Sequence, residues 1–361
     1  MAAMRSAHQS SFSRNQKATV SILPPGVKLG SGSAAFVSSG IPDLDKILGG
    51  GFLLGSVVIV LEDADAPHHL LLLRNFMAQG VVHRQPLLFA SPADEPRGFL
   101  GTLPAPIVDS KDERRRDAGR DRAEHGQGLR IAWQYKKYFG EEQGPEDRNR
   151  DVEQEFSSNF DLRNSLERRM LATKSIDCVS IKDCLDLATL QEHCSSFLSK
   201  ISGLGLAGRI AIQSLCAPQC RFSDWDMVCF VRFLRAMLRS SSAIAMISFP
   251  SSLIQPSFSK RLQHLADTLL SVRAIPDDDK DMAKLLTGYQ DMIGLLHVHK
   301  VARINTQVPF ILEASTFSLK LHRRRTLVLE KLNQAPVDGS SGSSDGTLSS
   351  CSGIKGSSLH F

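Results

Sequence analysis

Glu62, Asp63, Asp65, His68 and His69 follow one short apolar strand, and this is the stretch best placed to do chemistry. From Gly40 to Leu73 the chain reads GIPDLDKILGGGFLLGSVVIVLEDADAPHHLLLL, with Gly49, Gly50, Gly51 and Gly55 ahead of the strand Val57 to Leu61. A phosphate-binding loop here would read G-x-x-x-x-G-K-[ST], in which glycines bare their N–H groups, the lysine neutralises the terminal phosphate and the hydroxyl holds magnesium. The segment Glu62-Asp63-Ala64-Asp65-Ala66-Pro67-His68-His69 has no glycine, lysine or hydroxyl. Its three carboxylates oppose a triphosphate, since like charges a few ångströms apart repel by about 1 kcal/mol even in bulk water. A helix dipole starting near Pro67 offsets only part of this. Poor phosphate binding is the expectation.

Nucleotide hydrolysis also needs a carboxylate at the end of a later strand, to orient magnesium and water. The run Arg209 to Leu215, RIAIQSL, puts Gln213 there, and a neutral amide is a weak partner for a hard cation. Two losses point one way: a nucleotide-hydrolase scaffold without catalytic residues, cofactor or metal. Ser56, Ser214 and Ser248 lack the G-x-S-x-G surroundings of a hydrolase nucleophile. His68 and His69 lie on different helix faces and cannot chelate as an i, i+4 pair would. His297 and His299 share a strand face, a pattern that suits a structural or partner contact better than a metal. Cys216-x-x-x-Cys220 has no matching second pair for zinc.

The chain of 361 residues is 42% hydrophobic, enough for one large domain or two small ones. Its formal charge of +5 allows RNA or an acidic protein face as partner without demanding either. No apolar run is long enough to span a bilayer, so a soluble protein with no membrane association is expected. Seven cysteines, an odd number without a C-x-x-C pair, argue against a disulfide framework and for a reducing compartment. The acid-free first forty residues have the composition of a transit peptide or a disordered tail, and their poor arginine periodicity favours the tail.

Composition divides the chain into a polar tail at 1–35, a core domain at 36–335 and a Gly/Ser tail at 336–361. A charged insertion at about 109–175 interrupts the core; Lys111 to Arg122 reads as a surface loop, with anchors at Leu129 to Tyr135 and Phe156 to Leu162 docking onto the domain. Strands are predicted at Val57–Leu61, Pro86–Ala90, Ile176–Ile181, Arg209–Ser214 and Ala243–Phe249. Helices are predicted at His68–Gln79, Leu187–Ile201 and Asp224–Arg239, the last N-capped by Ser223. Alternating strands and helices imply an α/β fold, a mostly parallel sheet with helices on both faces. Asp267–Ala274, Met292–Val301, Phe310–Glu313 and Phe317–Leu329 follow without helices and predict an antiparallel C-terminal extension.

The order G-I-P-D-L-D-K-I-L-G-G-G-F-x-x-G-S before a strand resembles the entry to the RecA and KaiC ATPase core. Its lysine-free continuation is similar to the fourth-subunit family of the Elongator complex. So are Asp94-Glu95-Pro96, Ile131 to Tyr135, Phe160-Asp161-Leu162, and the closing run from His297 through Glu313, Ser315, Phe317 and Lys320 to Arg325 and Glu330-Lys331-Leu332. The resemblance spans about residues 35 to 335; Lys111 to Arg122 and the Gly/Ser tail lie outside its pattern, and Leu54 and His322 are local departures. It implies a RecA-like fold with a degenerate P-loop, in a cytoplasmic and nuclear protein. It implies a hexameric ring with the fifth and sixth Elongator subunits that binds tRNA. It also implies support of wobble-uridine modification of the 5-carboxymethyl type (mcm5U), with the chemistry in a separate catalytic Elongator subcomplex. The alternative is an active KaiC- or recombinase-type ATPase with an unorthodox loop.

For tRNA contact the candidates are Arg221 after Gln213, and Lys260 and Arg261 after Phe249-Pro250, where such sheets place binding loops. An ordinary amphipathic helix start accounts for the latter pair equally well. Arg323 and Arg325 share one face of a predicted strand with Arg324 on the other; the face tracks phosphate or an acidic subunit, or is a solvated, charge-protected edge.

Overall fold

The computed structural model describes residues 23–30, 34–107, 156–184, 186–275, 291–303, 312 and 314–332. Apolar, β-branched runs make the parallel strands β4 (Val57–Leu61), β5 (Leu87–Ser91), β8 (Ile176–Ser180), β9 (Gly208–Ile212), β10 (Ala243–Phe249) and β11 (Thr268–Ala274). An antiparallel extension adds β12 (Met292–Lys300), β13 (Thr316–His322) and β14 (Thr326–Lys331). The nine strands lie in the order β14-β13-β12-β11-β4-β10-β9-β5-β8. The expected mixed α/β architecture with a large, mostly parallel sheet is therefore present.

Helices α1 (Pro42–Ile47) and α2 (His69–Val82) pack on one face with α3 (Pro96–Leu100), over a core that includes Leu44, Leu72, Phe76 and Leu100. A small helix, α4 (Arg168–Leu171), follows on the same side with Met170 and Leu171 half-buried. On the other face α5 (Leu187–Leu204), α6 (Asp224–Arg239) and α7 (Pro256–Leu265) cover a second core containing Leu190, Phe230 and Phe258. Helix α6 begins as its spacing predicts, with the Ser223 hydroxyl accepting from the Asp226 N–H at 3.1 Å.

The glycine cluster before β4 serves the chain's own turn. Gly50 and Gly51 donate to the Asp45 carbonyl at 2.8 and 3.1 Å. Gly51 stands at φ +102, and a Cβ there would lie 2.5 Å from the Val37 carbonyl oxygen, so no other residue fits. This turn leads into a three-stranded sheet of β1 (Val27–Leu29), β2 (Ala35–Val37) and β3 (Phe52–Leu53). Strand β1 thus lies inside the segment read as a tail.

Strands β6 (Pro104–Pro106) and β7 (Phe160–Ser165) pair as an antiparallel ribbon, which docks the Phe156 to Leu162 anchor. The Leu162 N–H donates to the Arg325 carbonyl at 2.9 Å, tying the ribbon to the extension. The Lys111–Arg122 loop, the Leu129–Tyr135 anchor and the Gly/Ser tail fall outside the described residues.

The extension departs from the sequence reading at its end. Phe317 to Leu329 is a hairpin, β13 and β14, with Arg323, Arg324 and Arg325 in the turn. These arginines accordingly share no strand face. The predicted strand Phe310–Glu313 lies outside the described residues except Leu312, which is not in a strand. On the outer side of β14, the Leu329 N–H donates to the Asp43 carboxylate of α1 at 3.2 Å.

Candidate functional site

Strand β4 ends at the carboxyl edge of the parallel sheet, where loops from neighbouring strands converge and where open α/β sheets bind ligands. Glu62, the first residue beyond β4, turns its carboxylate inward. Its Oε1 accepts from the Ser214 hydroxyl at 2.8 Å and from the Ser248 hydroxyl at 2.6 Å. Ser214, at φ 49, also donates its N–H to the Ser248 Oγ at 2.9 Å. The ends of β9 and β10 thus fold two hydroxyls around a carboxylate of this chain.

The other acids of the loop do different jobs. Asp63 Oδ2 accepts from the Ala274 N–H at the end of β11. Asp65 is exposed. The expectation of three carboxylates facing a ligand together is therefore corrected: two are drawn into contacts with neighbouring strands, because hydroxyl and N–H donors stand within reach at those strand ends. Gln213 accepts from the Ser91 hydroxyl at 3.2 Å, which anchors the position after β9 to β5. His68, half-buried, precedes α2 and makes no side-chain cap bond.

His69 closes the cluster. Its Nε2 lies 3.9 Å from Glu62 Oε2, with both side chains 9% exposed, and its buried Nδ1 meets no partner among the described residues. Burial pushes the imidazole below its ordinary value of 6.5, while the Glu62 and Asp63 charges pull it back in part. The unfolded chain therefore takes up a proton on acidification that the folded chain resists. This contribution to stability is full above about pH 6.5 and is lost as pH falls. Urea midpoints at pH 7 and pH 5 test it: the parent should lose more stability between them than His69→Gln, and equal losses would show that His69 does not carry the dependence.

The basic candidates occupy different settings. Arg221 is exposed on the loop after β9, and Lys260 and Arg261 are exposed on α7, one turn beyond the loop where they were expected. Arg323 is exposed in the hairpin turn. Arg325 is committed elsewhere, its Nε donating to Asp161 Oδ2 at 2.7 Å. Strand β13 is antiparallel to β12, which is antiparallel to β11, so β13 runs in the direction of β4 and its turn lies at the same carboxyl edge. The structure thus brings Arg221 and Arg323 to the edge that carries Glu62, with α7 starting from it.

His297 and His299 share a face as expected, with ring centroids 6.0 Å apart. His297 pairs with the Thr316 hydroxyl at 3.0 Å and His299 with the Ser271 hydroxyl at 2.7 Å. Among the described residues no group of three or more His, Cys, Asp or Glu is arranged to hold a metal. Sequence reading weighed Ser214 and Ser248 only as nucleophiles; the available signal was a hydroxyl at or just past the ends of two strands, beside a carboxylate that follows a third.

The fold and this edge define a class: mixed α/β domains in which the first core strand runs through an acidic, lysine-free loop into a buried helix. The chain belongs to the PAXNEB protein family, whose match covers residues 20–361. It is 26% identical to Elongator complex protein 4 of Dictyostelium discoideum over 356 residues, 89% of this chain and 80% of that relative. It is 27% identical to Elongator complex protein 4 of Mus musculus over 333 residues, 83% of this chain and 77% of that one. With Elongator complex protein 4 of Homo sapiens it shares 25% identity over 334 residues, again 83% and 77% of the two chains. Among the described residues no helix is long and apolar enough to cross a membrane.

Proposed function

We propose that this chain is a noncatalytic subunit of an Elongator complex, a RecA-like domain with a degenerate phosphate loop. In this reading it closes a hetero-hexameric ring with the fifth and sixth subunits, acts in cytoplasm and nucleus, and helps present tRNA to the catalytic subcomplex for wobble-uridine modification. The observation that carries the reading is the carboxylate of Glu62 held by Ser214 and Ser248, which places a fixed negative charge at the strand end where a RecA-type domain would take phosphate. Two features support it. The parallel core with an antiparallel extension is how RecA-type domains are built, and Gln213 faces Ser91 where hydrolysis would need a carboxylate. Ring closure follows from head-to-tail contacts, and weak phosphate contacts from several subunits then add through multivalency.

Equilibrium dialysis of the purified chain against ATP and magnesium tests the site, and native mass measurement after co-expression with the fifth and sixth subunits tests the assembly. The expected results are no saturable ATP binding at about millimolar nucleotide and a mass that fits a hetero-hexamer. An affinity of about 1 μM, lost on changing Asp63 or Asp65, would instead establish an ATPase-type site.

A further inference from the structure

The hairpin turn between β13 and β14 has an unusual backbone. The Arg325 N–H donates to the His322 carbonyl at 3.0 Å, closing a β-turn. Both central residues, Arg323 and Arg324, stand at φ 53. Turns with positive φ at both centres favour Asn-Gly, and long L side chains adopt this region rarely.

Neighbouring residues hold the turn in place. Arg163 of β7 donates from Nε to the Arg324 carbonyl at 3.0 Å and from Nη2 to the Arg323 carbonyl at 2.9 Å. Arg325 is pinned to Asp161, whose side chain is 4% exposed. Of the three turn arginines one is thus held by a buried carboxylate, though its own side chain stays about half exposed, and the backbone of the other two is clamped from outside. Their side chains are exposed, and among the described residues neither meets a carboxylate. Strain that the surroundings impose on a surface turn, with two exposed arginines at its tip, points to use of their charges.

We propose that Arg323 and Arg324 form a fixed, two-pronged contact for adjacent phosphates of an RNA backbone, an inference that rests on the reading of this chain as an RNA-contacting subunit. Guanidinium planes meet phosphate oxygens in pairs, and a preset backbone lessens the ordering that such a contact requires. An acidic protein face is the less fitting occupant. Protein interfaces centre on apolar anchors, and the exposed large hydrophobic side chains, such as Trp225 and Leu253, lie outside this hairpin.

The double variant Arg323→Asn, Arg324→Gly separates backbone from charge, because it suits the turn and removes both cations. In the full chain its melting temperature should rise by about 2–4 °C. In the assembly with the fifth and sixth subunits, fluorescence anisotropy with labelled tRNA should show affinity about tenfold weaker, and the slope of log K against log salt should flatten by roughly 1.4 to 1.8. Arg323→Lys, Arg324→Lys keeps both charges and should keep the slope. An Asn-Gly variant that binds tRNA with the parent's affinity and slope overturns the inference while leaving RNA binding by the assembly intact. An Asn-Gly variant that no longer assembles with the fifth and sixth subunits overturns the inference and assigns the turn to a protein face instead. A lowered melting temperature refutes the strain on which the argument stands. If the parent assembly binds no tRNA, both this inference and the RNA reading fall.

Discussion

Asp267→Ala should destabilise the domain by about 3 kcal/mol. Asp267 is 5% exposed and binds three partners at the amino edge of β4. Its Oδ2 accepts from the Val57 N–H at 2.9 Å, and its Oδ1 from Arg235 Nη2 at 2.8 Å and Arg239 Nη2 at 2.6 Å. One carboxylate thereby joins α6, β4 and β11. Alanine would strand a buried N–H and two guanidinium groups, and both arginines are about one-third exposed, so water relieves part of the loss and the lower end of the usual range applies. Asp267→Asn keeps an acceptor for Val57 and should cost about half as much. Urea denaturation decides: a midpoint for Asp267→Ala within error of the parent would refute the knot's role.

Arg209→Ala should cost about 3–4 kcal/mol. Arg209 is fully buried at the start of β9, with Nε donating to Gln85 Oε1 at 2.7 Å and Nη1 to the Phe76 carbonyl at 2.9 Å. Its guanidinium lies 4.7 Å from the Phe76 ring centroid, and Gly80 leaves it room, since a Cβ there would come within 2.6 Å of its Cδ. Burial lowers its pKa to about 9, so it stays cationic at neutral pH. Alanine would leave a cavity under α2 and an orphaned Gln85 oxygen. Arg209→Met leaves the Gln85 and Phe76 oxygens without their donor likewise but retains most of the volume, and should cost about 1–2 kcal/mol less than alanine. Thermal unfolding of both variants checks the order, and an equal loss would mean that cavity volume is not what matters.

The parallel core was legible because its strands are continuous apolar runs such as VVIVL and AIAMISF, a pattern that burial on both faces requires. Helix α6 was legible from its three- and four-residue spacing and from Ser223. The hairpin was not, for a specific reason: Phe317, Leu319 and Leu321 alternate in phase with Leu327 and Leu329. The turn leaves that alternation unbroken, and three arginines carry no turn signature, so a single strand is the natural reading. At the candidate site the acidic, lysine-free loop was plain in the sequence. The inward bonds of Glu62 were not, because its partners lie 152 and 186 residues away. Asp267 and Arg209 were read only as strand starts and their bonds were not legible, as local pattern carries no trace of a partner brought in by tertiary packing.

One bond at the far rim of the sheet bears on how these molecules behave when crowded. Where a bare outer strand offers its N–H row to any passing chain, Leu329 is already satisfied by Asp43. A second copy seeking to extend the sheet sideways must first peel away α1. That safeguard favours orderly assembly over fibrous stacking.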